Sequence, residues 1–312
     1  MNSAAPRPDF FIVGAPRCGT TSMYEFLRAH QQVFMPANKE PHYFGRDLRR
    51  QHAPMDEREY LDMFSAARPD QRIGEASPLY LSSHSAAEEI RSFAPGAQIV
   101  IMLRDPVDMM HSLHWHNIFH GVEDIRDFAE ALRAEPDRRE GRRLPPGLHA
   151  TDALLYREVA HFGQHVERYL RVFGRDRIHV MLYQDLACDF AGETARLCEF
   201  LGIEPHATEP YVLNGSRVPR QPWLQRWIVR PPGVFGSAVA RARRYPLAHR
   251  LRAALLSLNS RKAARPTLPA SLRQELAAEL APDVALLEEL IGRDLGAWMA
   301  PAHPSIPAAA SA

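Results

Sequence analysis

A short loop near the start of the chain carries residues that could bind an anion. The apolar run Phe10–Val13 precedes Gly14, and hydroxyl residues that can open a helix follow Gly19. Such a run predicts a buried strand. The N–H groups of the loop and of the first helical turn lack internal partners and point at a ligand. With Arg17 as a cation inside the loop, the pattern predicts an anion-binding turn between a strand and a helix.

Glu40 and His42 form a second candidate pair, within the segment Lys39–Phe44. A hydroxyl group is a poor nucleophile, and a positioned carboxylate can remove its proton as a new bond forms. Glu40 is of a residue type that could do this chemistry. The alternative is that both side chains are ordinary solvated loop residues.

The spacing of Gly14 and Gly19 is that of a P-loop, but a P-loop has lysine where this chain has Thr20. The loop resembles the one that holds the 5′-phosphosulfate of 3′-phosphoadenosine 5′-phosphosulfate (PAPS) in sulfotransferases of the heparan-sulfate type and their bacterial relatives. A strand-turn-helix corner without a ligand and an ordinary nucleotide site are the alternatives. The resemblance implies cofactor contacts from Arg17, Cys18, Gly19, Thr20, Thr21 and Ser22, although the Cys18 side chain is interpreted as a small filler residue.

The segment Lys39–Phe44 resembles the catalytic segment of heparan-sulfate 3-O-sulfotransferases. The resemblance implies that Glu40 takes the proton of the acceptor hydroxyl and that His42 lies beside the transferring group. Two departures weaken the case for a heparan-like acceptor. Gly45 stands where the family has aspartate, and Ala76 stands where it has a lysine that helps to bind the sulfuryl group.

A third signature follows the apolar run Gln98–Leu103, which is typical of a central parallel strand. Arg104 and Ser112 resemble the sulfotransferase pair that binds the 3′-phosphate of the cofactor. The planar fork of arginine suits phosphate oxygens, and ligands of open α/β sheets bind at the carboxyl ends of strands. His116, one helical turn after Ser112, is a further catalytic candidate because a related domain has histidine at this offset. The alternative is a surface ion pair at Arg104 and an ordinary helix residue at Ser112.

Residues 217–265 contain twelve Lys or Arg and no Asp or Glu. Arg217 and Arg220 resemble the basic loop that folds over the 3′-phosphate in sulfotransferases, and surface cations are the alternative. The one-sided charge attracts polyanions, so peripheral membrane contact is one interpretation. A helical segment with a solvated basic face is the other. Nucleic acid is not an expected partner, because the basic segment contains no known nucleic-acid-binding motif.

The length alone allows one large α/β domain or two small ones. The three signatures and the sulfotransferase resemblance imply a single α/β domain over residues 9–300, with a P-loop-like central parallel sheet flanked by helices and a helical C-terminal portion. The chain has 312 residues, is 46% hydrophobic and has a formal net charge of +1. Residues 124–150 are interpreted as a lid or insertion with a polar loop at 135–147. Residues 301–312 are predicted to be a disordered tail.

Three cysteines are too few for a disulfide framework and indicate a reducing compartment. The sequence contains no run of about 18 apolar residues, the length that a membrane-spanning helix needs. The expected location is therefore the cytoplasm. Only two lysines occur beside abundant alanine and proline, which is typical of a high-GC bacterial genome.

Three further expectations concern local structure. Tyr156–Phe173 predicts one amphipathic helix that ends before Gly174. The final helical stretch, 272–291, is expected to divide at Pro282. Glu75 is interpreted as a structural carboxylate that pairs with an arginine of the site.

Together the three signatures predict an enzyme that moves the sulfuryl group of PAPS to a hydroxyl of a small-molecule, lipid or carbohydrate acceptor and releases PAP. No metal is implied. One alternative is a P-loop kinase or NTPase, which predicts dependence on Mg²⁺. The other is a non-catalytic module that binds PAP or another anion. The oligomeric state is not readable from the sequence.

Overall fold

The central sheet of the described residues has five parallel strands in the order β2-β3-β1-β4-β5. The computed structural model describes residues 6–49, 55–145, 151–205, 217–219, 221, 255, 258–262 and 266–300. The strands are β1 (Phe10–Gly14), β2 (Val33–Phe34), β3 (Arg72–Ala76), β4 (Gln98–Leu103) and β5 (Ile178–Leu182). Phe10–Gly14 is buried throughout, as expected of a central strand covered on both faces. The predicted α/β class with a parallel sheet is confirmed.

Helices flank this sheet and connect its strands. In the described residues they are α1 (Thr20–Ala29), α2 (Glu57–Asp62), α3 (Ala86–Phe93), α4 (Pro106–Phe119), α5 (Phe128–Arg133), α6 (Glu135–Arg139), α7 (Tyr156–Ala160), α8 (Phe162–Phe173), α9 (Tyr183–Cys188), α10 (Phe190–Leu201) and α11 (Ala270–Ile291). Several begin at an aspartate cap. The Asp105 side chain, for example, accepts a hydrogen bond from Asp108 N at the start of α4, which satisfies one of the free N–H groups there.

The single helix predicted over Tyr156–Phe173 is wrong, because the chain breaks at His161 into α7 and α8. The break has a tertiary cause. Asp283 of α11 accepts hydrogen bonds from Gly163 N at 2.8 Å and Gln164 N at 3.1 Å, and so caps the start of α8. A cap supplied by a residue far along the chain is invisible to a local hydrophobic pattern.

The division expected at Pro282 is also wrong, because α11 runs without interruption from Ala270 to Ile291. A proline inside a helix costs about 3 kcal/mol through its missing hydrogen bond and its ring. Leu276, Leu280 and Leu287 are almost fully buried along this helix. Each such burial stabilises by about 1.5–3 kcal/mol, so packing outweighs the proline.

The prediction of a polar loop at 135–147 is wrong over its first part, because Glu135–Arg139 forms the helix α6. Arg138 and Glu123 are fully buried and make a bidentate ion pair with two contacts of 2.7 Å. The Tyr156 hydroxyl also donates to Glu123. This part of the expected lid is therefore anchored in the interior; residues 146–150 lie outside the described residues.

The described part of the basic segment contains a small antiparallel pair of strands, β6 (Arg217–Pro219) and β7 (Ser260–Lys262). The predicted tail at 301–312 lies outside the described residues. None of the helices within the described ranges combines the length and the apolar composition that a membrane crossing needs.

Candidate active site

The loop between β1 and α1 ends in a helix start whose N–H groups are open to a ligand. Gly19 caps α1 with φ +92° and no side-chain hydrogen bond, a conformation that favours glycine. The first bond of the helix runs from Met23 N to Gly19 O. The N–H groups of Thr20, Thr21 and Ser22 therefore have no partner within the helix. Since no acidic residue lies in this turn, the positive end of the helix dipole is uncompensated there.

Arg17 joins this loop to α4. Its Nε donates to the Ser112 hydroxyl at 3.2 Å, and its NH1 lies 3.3 Å from His116 Nδ1. Arg17 has φ +64°, a left-handed conformation that costs a non-glycine residue roughly 1–2 kcal/mol. Strain of this kind often marks functional sites. Arg17 of the first signature is thus in direct contact with Ser112 and His116 of the third.

His116 is held in its neutral form. Burial, followed by the neighbouring His120 and Arg17, lowers the pKa of His116 well below 6.5. Because a guanidinium can only donate, His116 Nδ1 accepts from Arg17, and the ring proton is assigned to Nε2. The imidazole can therefore offer an N–H donor without carrying a charge.

The Glu40 segment is fixed to the end of β3 by backbone contacts. Glu40 N donates to Ala76 O at 3.1 Å, and His42 N donates to the Ser77 hydroxyl at 3.2 Å. Glu40 and His42 have φ values of +62° and +51°. Two left-handed residues so close together turn both side chains out of the line of an extended chain, at a cost in backbone strain.

The Glu40 carboxylate sits between the Lys39 ammonium and the His42 ring. Lys39 Nζ lies 2.6 Å from Oε1, and His42 Nε2 lies 3.6 Å from Oε2. Burial raises the pKa of Glu40, but the contacts with His42 and Lys39 outweigh it and hold the pKa at about 2. With 42% of its side chain exposed, Glu40 is an ionised carboxylate that a polar acceptor can reach.

Arg104 follows β4 and lies next to the loop. Its NH1 lies 3.4 Å from Arg17 O, its NH2 lies 3.4 Å from Asp108 Oδ2, and its guanidinium carbon stands 5.0 Å above the Tyr183 ring. The Nε atom is buried and has no hydrogen-bond partner among the described residues. Arg104 is therefore positioned mainly by long contacts and retains donors for an anion.

The side chains of Cys18 and Thr20 are buried, so only their backbone groups face the loop. Burial raises the pKa of the Cys18 thiol to about 12, so the thiolate is disfavoured. This agrees with its interpretation as a filler residue. The Thr20 side chain is also buried, whereas Thr21 and Ser22 are half-buried.

The partner expected for Glu75 is wrong. No arginine contacts it among the described residues; Glu75 Oε2 instead accepts from the hydroxyls of Tyr60 and Tyr80, each at 3.0 Å. The Tyr80 hydroxyl in turn accepts from Phe44 N. Glu75 is thus structural, as expected, but it supports the Glu40 segment through tyrosines.

Arg220 lies outside the described residues, and for Arg217 the structure gives only its place in β6. Their predicted contact with the 3′-phosphate stays a prediction. Within the described ranges, no group of three or more His, Cys, Asp or Glu is placed to hold a metal ion.

The site residues that sequence reasoning missed are Lys39, which directly precedes Glu40, and Tyr183, which directly follows β5.

Comparison with known proteins gives the same family as the motifs. The family model described as the sulfotransferase domain matches residues 7–215. Carbohydrate sulfotransferase 15 of Mus musculus is 27% identical over 250 residues, which cover 64% of this chain and 44% of the relative. Heparan sulfate glucosamine 3-O-sulfotransferase 6 of Homo sapiens is 27% identical over 207 residues, which cover 65% of this chain and 55% of the relative. The chain thus spans about half the length of these curated relatives.

A solved structure extends the likeness to nearly the whole chain. The sulfotransferase from Alicyclobacillus acidocaldarius superposes with a TM-score of 0.70 and 29% sequence identity, covering 95% of this chain and 100% of that one. The predicted family resemblance is confirmed by the match over residues 7–215. This chain belongs to the sulfotransferase domain family.

Proposed function

We propose that this protein transfers a sulfuryl group from PAPS to a hydroxyl of a carbohydrate-type acceptor. The observation that carries the proposal is the convergence of Arg17, Ser112 and His116 at the open start of α1, beside Arg104. Cationic donors meeting at a helix N-terminus form a ready anion site. The acceptor class is taken from the names of the relatives, which include carbohydrate and heparan sulfate sulfotransferases.

The residues present fit a ligand with two separate anionic ends. The turn Gly19–Ser22 and the Arg17 guanidinium would hold the 5′-phosphosulfate. Arg104 and the Ser112 hydroxyl would read the 3′-phosphate, with help from Arg217 or Arg220 in the basic segment. Arg104 has a buried Nε with no hydrogen-bond partner among the described residues, which is costly unless a ligand uses it. The Ser112 hydroxyl still has its own proton to donate while it accepts from Arg17.

The donor supplies a sulfuryl group attached to a phosphate leaving group. Glu40 takes the proton of the acceptor hydroxyl, whose oxygen forms the new S–O bond as the bond to the leaving phosphate breaks. Arg17, His42 and the N–H groups of the loop stabilise the charge that grows on the sulfuryl oxygens and the leaving phosphate. His116 offers its neutral Nε2–H to the same region. Glu40→Gln should lower kcat by about 10²–10⁴-fold; near-normal turnover with a true acceptor would show that the base is another residue.

Lys39 must loosen its contact before Glu40 can act as a base. A carboxylate with a pKa of about 2 accepts protons poorly at neutral pH. The 2.6 Å contact with Lys39 Nζ is one of its causes. An acceptor that draws Lys39 away, or that buries Glu40 further, raises the basicity of the carboxylate at the moment of transfer.

The first test is calorimetry with PAP and with ATP plus Mg²⁺, on wild type and on Arg104→Ala. The proposal expects PAP binding that weakens in the variant, and little response to Mg-ATP. A preference for Mg-ATP would favour the kinase or NTPase alternative. Binding of PAP without transfer from radiolabelled PAPS to any hydroxyl acceptor would favour a non-catalytic module. The cytoplasmic location, the bacterial source and the membrane contact through residues 217–265 remain predictions.

A further inference from the structure

Arg273 of α11 makes short contacts with the acidic turn that follows the phosphate-reading Arg104. Its NH2 lies 2.5 Å from Asp105 Oδ2, and its NH1 lies 3.1 Å from Asp108 Oδ1. Arg273 is buried, and its NH2 and Nε also donate to the backbone oxygens of Trp298 and Ala300. The contact therefore joins the C-terminal helix to the start of α4.

Asp108 contacts two arginines, and its contact with Arg273 is shorter than its contact with Arg104. Arg273 reaches Oδ1 at 3.1 Å, whereas Arg104 reaches Oδ2 at only 3.4 Å. Arg273 also neutralises Asp105, which lies directly beside Arg104 in the chain. The acidic turn is thus satisfied mainly by Arg273, and Arg104 is left with long contacts and an unpartnered Nε among the described residues.

The electrostatic consequence concerns the binding of a phosphate by Arg104. The Asp108 carboxylate in contact with Arg104 would compete for the guanidinium donors, and it would repel an incoming phosphate together with Asp105 of the same turn. A second arginine that takes up both carboxylates removes the repulsion and the competition at once. Arg273 lies outside the part of the chain that the sulfotransferase domain model matches, residues 7–215.

We propose that Arg273 is a positioning residue for the 3′-phosphate: by occupying Asp105 and Asp108, it keeps the Arg104 guanidinium available to that phosphate. The inference rests on the proposed function, because it assigns the 3′-phosphate of PAPS or PAP to Arg104. It adds that the specificity for a 3′-phosphorylated nucleotide depends on the C-terminal helix as well as on the matched region.

The test compares the binding of PAP and of AMP, which lacks only the 3′-phosphate. Wild type, Arg273→Met, Asp108→Asn and the double variant R273M/D108N are measured by calorimetry, with Arg7→Met as a control that removes an equal charge from an exposed pair with Glu57. In R273M the Kd for PAP should rise about tenfold while the Kd for AMP is unchanged. D108N in the same chain should restore much of the PAP affinity, because it removes the competing carboxylate.

The outcomes separate the inference from the function on which it rests. Wild type that binds PAP no better than AMP would overturn the proposed function, and the inference with it. Wild type that prefers PAP, with R273M unchanged, would overturn the inference alone. Equal losses of PAP and AMP affinity in R273M would also overturn it, since they indicate a purely structural role. If R273M does not fold, Arg273→Lys decides: an ammonium cannot serve Asp105 and Asp108 together as the planar guanidinium does, so the PAP Kd should rise severalfold with the AMP Kd unchanged, and an unchanged PAP Kd contradicts the inference.

Discussion

The Nε of Arg17 donates a hydrogen bond to the hydroxyl of Ser112 at 3.2 Å, and so joins two residues that lie 95 positions apart. One belongs to the loop after β1 and the other to α4 after β4, which are adjacent strands of the sheet. The contact places the cation of the first signature against the hydroxyl of the third. The two predicted ends of the nucleotide site therefore share one hydrogen-bonded structure.

Replacing Arg17 tests this shared structure. Arg17→Ala should lower kcat by about 10²–10³-fold, the range found when a donor to developing charge is removed. Arg17→Lys should recover only part of the activity, because an ammonium lacks the planar fork that serves Ser112 and His116 together. Turnover of radiolabelled PAPS measures both. Arg28→Ala on the exposed side of α1, where Arg28 pairs with Glu25, is the matched control. Full activity of the lysine variant would contradict the two-partner role.

Lys39, together with His42, lowers the pKa of Glu40. In wild type the Glu40 pKa of about 2 keeps the carboxylate charged at all ordinary pH values. Lys39→Met removes one of the groups that lower this pKa, so the Glu40 pKa should rise and the acid limb of kcat/KM should move to higher pH. The pH profiles of wild type and variant measure the shift. Identical acid limbs would show that Lys39 does not tune Glu40 in the working enzyme.

Glu75 should make stability depend on pH. Burial is the largest influence on this carboxyl and raises its pKa from 4.5 to about 6, although bonds from Ser77 and the two tyrosines oppose it. Because the folded pKa lies above the unfolded one, the stability that Glu75 contributes is fully present below pH 4.5 and is lost as the pH rises through about 6. The loss amounts to about 2 kcal/mol.

Urea unfolding of wild type and Glu75→Gln at about pH 4 and about pH 7 isolates this effect. The stability of wild type relative to the variant should be about 2 kcal/mol lower at the higher pH. Glu59→Gln, which alters an exposed carboxylate of α2, should show no such change. A difference between wild type and E75Q that does not vary with pH would mean that Glu75 titrates normally.

The buried pair of Arg138 and Glu123 should be costly to break. Arg138→Met leaves the Glu123 carboxylate buried without its main partner, so the free energy of unfolding should fall by about 3–5 kcal/mol. Denaturant unfolding measures this loss. Arg143→Met, which breaks the exposed pair with Glu130, should change stability by no more than about 1 kcal/mol. Similar small losses in both variants would mean that water or relaxation reaches the interior pair.

The sequence alone predicted the parts of the protein that depend on neighbours along the chain. The apolar runs of β1 and β4 identify buried strands, because a strand covered on both faces needs apolar side chains in succession. The loop from Gly14 to Ser22 and the pairs Glu40–His42 and Arg104–Ser112 define the candidate site, because each is a short local pattern. The carboxyl ends of parallel strands then bring these patterns to one edge of the sheet.

Only the tertiary structure decided how those patterns are held and paired. Asp283 of α11 caps the start of α8 by accepting a hydrogen bond from Gly163 N. Arg273 of the same helix forms an ion pair with Asp105, which follows Arg104. Glu75 meets two tyrosines rather than an arginine. Pro282 stays helical because packing outweighs a local penalty. In each case the deciding partner lies far away along the chain or in the packed interior, so the free energy that selects the contact is absent from any local pattern and exists only once the chain has folded.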